Sequence, residues 1–328
     1  MTMKTKFILA GVLACIGLTT QAQDAKPEEP KGKAIVQVFG NLNAGFSGGD
    51  ANVGFDLERS YIGYEYKLGQ GLSVKGVMDI GKSNDVSDYQ RIAYIKNAQI
   101  SWKSGHWKLS GGLISTIQFN MQEKFWGYRY VLKSFQDEYK FGSSADLGIS
   151  AAYQFNDNFM MDAIIVNGEG YKKIQKDNGL NYGLGLTLTP AKGFQIRLYG
   201  GLNESGEQGK ENIVNMAAFV GYKSDKFAIG AEYNKMWNAS YKEGQDQYGY
   251  SVFASAKLDK KTEVYARFDD LCSKDDWNKA KDEQAAILGA QFKLGKYVKM
   301  APNFRMSMPK ADGLDNRYSA YINCYFGF

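Results

Sequence analysis

Gly193 to Asn203 reads GFQIRLYGGLN, and its alternation decides the fold. Phe194, Ile196, Leu198 and Leu202 fall on one face while Gln195, Arg197, Tyr199 and Asn203 fall on the other, as a strand with a period of two residues requires. The pattern recurs along the chain. In 248–258, Tyr248, Tyr250, Val252, Ala254, Ala256 and Leu258 oppose Ser251, Ser255 and Lys257, and in 262–268 Val264, Ala266 and Phe268 oppose Glu263, Tyr265 and Arg267. The last stretch puts Tyr318, Ala320, Ile322, Cys324, Phe326 and Phe328 on one side.

Composition points the same way. Among 328 residues, Gly 37, Tyr 22 and Phe 19 stand against Pro 5 and His 1, a β-rich profile. A mean hydropathy of -0.40 and the lack of any long apolar run exclude a bundle of membrane-spanning helices. They leave a barrel open, because alternating lipid-facing and water-facing residues average to a polar sequence.

Segmentation by period and by Gly, Asn, Asp and Ser boundaries gives about sixteen strands, the first at 34–46 and 55–68, the fifth and sixth at 107–118 and 145–155, the last at 316–328. The links after even-numbered strands are tight, among them Gly69-Gln70, Asn156-Asp157, Ser224-Asp225 and Gly295-Lys296, whereas most links after odd strands are longer and polar. An even strand count with alternating short and long links is the arrangement of an all-β, up-and-down antiparallel transmembrane barrel. Tyr, Phe and Trp near strand ends, such as Tyr64/Tyr66, Trp102/Trp107 and Phe155/Phe159, suit headgroup-level girdles, or serve simply as strand formers.

The beginning of the chain has another task. Lys4 and Lys6, the apolar run Phe7 to Leu18 and Thr20-Gln21-Ala22 read as a signal peptide over 1–22, cleaved after Ala22; a rival reading has Cys15 lipidated in a lipoprotein box. Residues 23–33, with Pro27, Glu28, Glu29 and Pro30, read as a flexible periplasmic leader, and 34–328 as the barrel. Losing Lys4 and Lys6 takes the formal charge from +5 to +3, which indicates no nucleic-acid surface. Cys272, expected at an outer loop, and Cys324, expected near the opposite rim, read as unpaired.

With a cleavable signal, about sixteen strands and a C-terminal strand ending in Phe328, the chain resembles a Gram-negative outer-membrane porin, of the phosphate-selective group in a Bacteroidetes-like version. The resemblance implies an outer-membrane location among its lipids, trimeric association, and recognition of Phe328 by the barrel-assembly machinery. One departure is plain: the Pro-Glu-Phe-Gly-Gly run of the proteobacterial general porins is absent, so their eyelet residues do not transfer.

The longest link, Phe119 to Ser144, holds the position of the third outer loop, which in sixteen-stranded porins folds inward and narrows the pore. Its aromatics Phe125, Trp126, Tyr128, Tyr130, Phe135 and Tyr139 would anchor it on the wall, leaving Glu123, Lys124, Arg129, Lys133, Asp137, Glu138 and Lys140 for the water path. The alternative is an outward surface loop. On the strands, polar faces place Arg59, Lys75, Lys108, Arg197, Arg267 and Arg305 in the lumen against Glu263 and Asp269. That basic tilt predicts a mild anion preference, unless the charges pair across the wall. In 91–103, alternation puts Lys96 on the lipid side, and the sequence leaves open whether a β-bulge turns it inward.

Chemistry of other kinds finds no support. One histidine, His106, cannot supply a two-His metal site and falls in an expected periplasmic turn, away from where a barrel hydrolase needs it. Gly168-Glu169-Gly170 has Lys173 where a phosphate-cradling loop needs its third glycine. Asp275-Asp276 and Asp312 with Asp315 read as solvated loop charge before they read as cation ligands, and no catalytic residue, metal or cofactor is expected. The reading is therefore a porin passing small hydrophilic solutes and ions, with a closed barrel bearing adhesive loops as the alternative class.

Overall fold

A strand with one apolar and one polar face satisfies lipid and water together only when the sheet closes and leaves no edge. The computed structural model describes residues 31–83 and 87–328 and closes them in this way. The strands are β1 Lys31–Ser47, β2 Asp50–Gly69, β3 Leu72–Ser83, β4 Ser87–Ser104, β5 Trp107–Ser115, β6 Ala145–Asn156, β7 Phe159–Val166 and β8 Asn181–Ala191 in the first half. β9 Phe194–Asn203, β10 Ile213–Lys223, β11 Phe227–Trp237, β12 Gln247–Lys257, β13 Thr262–Ser273, β14 Glu283–Lys293, β15 Val298–Pro309 and β16 Arg317–Gly327 complete it. Each pairs antiparallel with its chain neighbours, and β1 closes on β16 with Gln37 opposite Gly327 and Ser47 opposite Arg317.

The expected all-β, sixteen-stranded barrel is thus observed, with differences at particular ends. β1 takes in Lys31 to Lys33, which the sequence reading gave to the leader; the expected signal peptide and residues 23–30 lie outside the described residues. β2 starts at Asp50 instead of 55, so the first outer link is only Gly48-Gly49. Both glycines have positive φ, 57° and 92°, which lets a two-residue turn follow the twist of the strands it joins. β5 stops at Ser115, three residues before its expected end, because the chain turns inward at Thr116.

Outward residues are apolar and exposed, as in Leu184, Leu198, Met216, Val220 and Leu288. Ring pairs Tyr64–Tyr66, Trp107–Tyr153, Phe155–Phe159, Tyr222–Phe227 and Tyr297–Phe328 cluster beside the short turns, with centroids 4.7–6.3 Å apart. They occupy one rim, where an amphipathic ring meets headgroups. Lys235, on the outer surface, lies 4.5 Å from the Trp237 ring centre. Cys272 and Cys324 are both free, and His106 packs beside Tyr153 in a short turn.

Two bulges interrupt the ladders within the strands; the other register shifts among the described residues, at Lys67/Gly69, Lys82/Ser83, Gln154/Asn156 and Leu188/Ala191, fall at strand ends. Phe39 faces Arg59 while Gly40 faces Leu57, so Glu58 is the extra residue in β2. Val77 faces Asn97 while Met78 faces Ile95, so Lys96 is the extra residue in β4. A bulge of one residue resets which face the following side chains occupy.

Candidate functional site

The interior is shaped by residues 116–144, which fold into the barrel as a third outer loop with two short helices, α1 Asn120–Trp126 and α2 Phe135–Glu138. Its root is clamped: the Thr116 N–H donates to Ser144 O at 3.1 Å and the Thr116 hydroxyl to Ser143 O at 2.5 Å. Gly127 ends α1 in a left-handed conformation, φ 75°, with its N–H on Glu123 O at 2.9 Å. That is the αL cap that favours glycine.

The loop lies along one side of the lumen. Trp126, 2 % exposed, sits among Phe253, Tyr265 and Tyr128 at centroid distances of 5.5, 5.8 and 5.1 Å, and Phe125 lies 5.1 Å from Phe219. Tyr130 packs between Phe39 and Tyr325. Phe135 is fully buried with Phe141, Met236 and Leu271, and it needs Gly249 opposite: a Cβ there would stand 2.6 Å from the Phe135 ring. Aromatic rings of this size each bury 150–250 Å², worth several kcal/mol at about 25 cal/mol per Å². Sequence reasoning put polar groups on the inward faces and missed Phe39, Phe219 and Phe253, which point inward because the loop covers them.

Polar fastenings complete the seat. Tyr128, Tyr130 and Tyr139 donate to Glu263 Oε2 at 3.0 Å, Gln291 Oε1 at 2.9 Å and Glu283 Oε1 at 3.1 Å. Burial pushes all three loop phenols above their usual range, so they stay protonated donors at neutral pH. Three wall arginines donate to loop carbonyls: Arg197 to Ile117 at 2.8 Å, Arg267 to Lys133 at 2.5 Å, and Arg305 to Val131 at 2.8 Å.

Most of the strand charges have close partners. Arg197, Arg267 and Asp269 point inward and are buried, at 2 %, 4 % and 2 % exposure, and Arg197 lines together with Asp162 a cavity that Lys75 and Lys108 also border. Arg197 holds Asp162 with contacts of 2.5 and 2.8 Å, Arg267 holds Asp269 at 2.6 Å, and Arg305 stacks on Tyr321 at 3.7 Å. Glu263 takes Tyr128, Gln291 and the Lys293 ammonium at 2.7 Å. Apart from Tyr128, these partners lie on the wall itself, on the same or a nearby strand, so the charges pair across the wall, the alternative that strand alternation left open.

The water path runs on the other side. An outer cavity of about 450 Å³ is lined by Arg59, Lys133, Asp137, Lys140 and Tyr171 among others. It shares Ser144 with a cavity of about 500 Å³ that carries Lys33, Lys75, Lys96, Lys124 and Lys299. That one shares Lys75, Asn120 and Lys124 with a third, of about 930 Å³, which reaches Lys108 near the short turns. Of the expected loop charges, Arg129 is paired with Glu123 at 3.0 Å and Asp137 at 3.1 Å, Lys133 stands 4.0 Å from Glu138, and Lys124 and Lys140 are exposed.

Facing the loop, β2, β3 and β4 bring together Arg59, Tyr61, Asp79 and Lys96. Arg59 pairs with Asp79 at 3.0 Å and reaches the Tyr61 hydroxyl at 3.3 Å; Lys96 reaches that hydroxyl at 3.2 Å. A second inward loop, residues 167–180 between β7 and β8, was not foreseen. Asp146 accepts the Gly168 and Gly170 N–H groups at 2.7 and 3.2 Å, and this directs Tyr171 across to Asp79, where it bonds to Oδ2. Neither loop length nor charge separates such a segment from a surface loop.

No family model and no curated relative matches the sequence. Solved structures do resemble it in shape. The anion-selective porin from Comamonas acidovorans superposes with a TM-score of 0.67 at 13% identity, over 92% of this chain and 100% of that one. The high-pH structure of Pseudomonas putida OprB gives 0.73 at 11%, over 90% and 94%, and Salmonella typhi OmpF in complex with daunomycin gives 0.66 at 12%, over 91% and 98%. At such identities the likeness is one of fold, and it agrees with strand count, closure and the inward third loop: the chain has the fold of the sixteen-stranded porin barrels of the Gram-negative outer membrane.

Proposed function

We propose that the chain, cleaved after Ala22, forms a water-filled channel for passive diffusion of small hydrophilic solutes and ions across a Gram-negative outer membrane, with a mild preference for anions, phosphate among them. The observation that carries this reading is the line of three cavities that share lining residues along the third loop, the middle one lined by Lys33, Lys75, Lys96, Lys124 and Lys299 against Glu65 and the paired Glu123. Fixed cations in a narrow aqueous space lower the barrier for anions. The Comamonas relative in fold is described as anion-selective, and one Vibrio cholerae structure of this fold as a trimer. Trimeric association and recognition of Phe328 by assembly machinery belong to the same proposal.

Single-channel recording of refolded protein in a planar bilayer tests it. Steady current steps with an anion-signed reversal potential are expected in a salt gradient. Correctly folded barrels that give no steps would replace the channel with a closed barrel whose outer loops bind a surface partner.

A further inference from the structure

The two bulges sit on the wall that faces the third loop, and the one in β4 places an ammonium on the lining of the middle cavity. Without the extra residue in β4, strict alternation would send Lys96 to the lipid side, where an ammonium loses its water. With it, Lys96 and Asn97 both turn inward, and the Lys96 ammonium lies 3.2 Å from the Tyr61 hydroxyl and 4.5 Å from the Tyr61 ring centre.

Three cations gather around Tyr61, and their partners differ. Arg59 is neutralised by Asp79 at 3.0 Å, and Arg129 by Glu123 and Asp137 at 3.0 and 3.1 Å. Lys96 has Tyr61 as its hydrogen-bond partner, and no carboxylate among the described residues makes an ion pair with it. Paired charges at a constriction cancel within a few ångströms, whereas an unpaired one acts on every ion that passes.

We propose that Lys96, turned into the lumen by its bulge and held by the Tyr61 hydroxyl, is the residue that sets the charge selectivity of the channel. This rests on the channel reading above. The other lysines of the middle cavity raise the local anion concentration, and Lys96 adds to them a charge fixed at the Tyr61 hydroxyl and free of any ion pair among the described residues. Small carboxylates, chloride and phosphate are the solutes it favours, because a single ammonium recognises charge and makes no demand on shape.

The test compares reversal potentials of wild type, K96Q, K96E and K96R in planar bilayers under a KCl gradient, with heat-modifiable gel migration confirming that each barrel is closed. K96Q is expected to cut the reversal potential roughly in half or more, K96E to reverse its sign, and K96R to keep the wild-type value. K235Q, on the outer surface, serves as the control and leaves it unchanged. A merely structural role for Lys96 would not reverse the sign. Wild-type potentials in both K96Q and K96E overturn the assignment while leaving the channel standing; a folded wild type without current steps overturns the channel reading itself.

Discussion

Arg197 on β9 and Ile117 at the root of the third loop are joined by a 2.8 Å hydrogen bond from the guanidinium to the main-chain carbonyl. The same guanidinium takes both carboxylate oxygens of Asp162 and the Thr187 hydroxyl at 3.0 Å. One side chain therefore ties the bend of the loop to two strands, with the planar fork that a lysine lacks.

Arg197→Ala leaves the Asp162 carboxylate buried without its partner, and such an uncompensated charge costs about 3–5 kcal/mol. A drop of that size is expected in the denaturant stability of the refolded barrel, and Arg197→Lys should recover only part of it. A loss below about 1 kcal/mol would show that water reaches Asp162 and that the guanidinium is no fastener.

Tyr171→Phe removes the bond to Asp79 and leaves that carboxylate to Arg59 alone. The strap over residues 167–180 then loses a hydrogen bond to a charged acceptor, worth about 1.5–3 kcal/mol. Faster protease cleavage within the strap, with barrel migration on gels unchanged, is the expected signature; an unaltered cleavage rate contradicts it.

The loop phenols give a pH dependence with a definite sign. Burial raises Tyr128, Tyr130 and Tyr139 above the ordinary phenol value, so their contribution to seating the loop is complete below the unfolded value of about 10 and is lost as pH rises beyond it. Current traces should stay quiet through neutral pH and become noisy above about pH 10. Replacing Tyr139 by Phe should blunt that alkaline change, which ultraviolet tyrosinate absorbance can follow in parallel.

Deleting Phe328 removes a ring from the rim cluster with Tyr297 and Phe326, and also the reciprocal backbone bonds with Val36 at 3.0 and 3.3 Å. The expected result is a smaller heat-modifiable fraction in membranes, with Phe328→Tyr close to wild type. Equal assembly of the deletion would remove the role given to the terminal ring.

Strands were legible in the sequence because lipid and water impose opposite demands on alternate residues, and the last strand, expected at 316–328, is observed at Arg317–Gly327. The bulges were not, since one inserted residue changes no composition; Lys96 on an expected lipid face was their single trace. The third loop announced itself by length and rings. What it would cover did not: whether Arg267 faces water or the Lys133 carbonyl depends on a contact spanning more than a hundred residues, which strand periodicity does not encode. Tyr171 stayed hidden for the same reason.

The seam between β1 and β16 joins the two strands farthest apart along the chain. Until they meet, each presents a bare row of N–H and C=O groups, tolerable in water and ruinous in hydrocarbon. Because the meeting edges come from opposite ends, no portion of the chain can seal itself and wait for the remainder. Crossing the membrane and acquiring a finished shape are for this molecule a single event, and a nascent copy must be kept unfolded until its final strand is at hand.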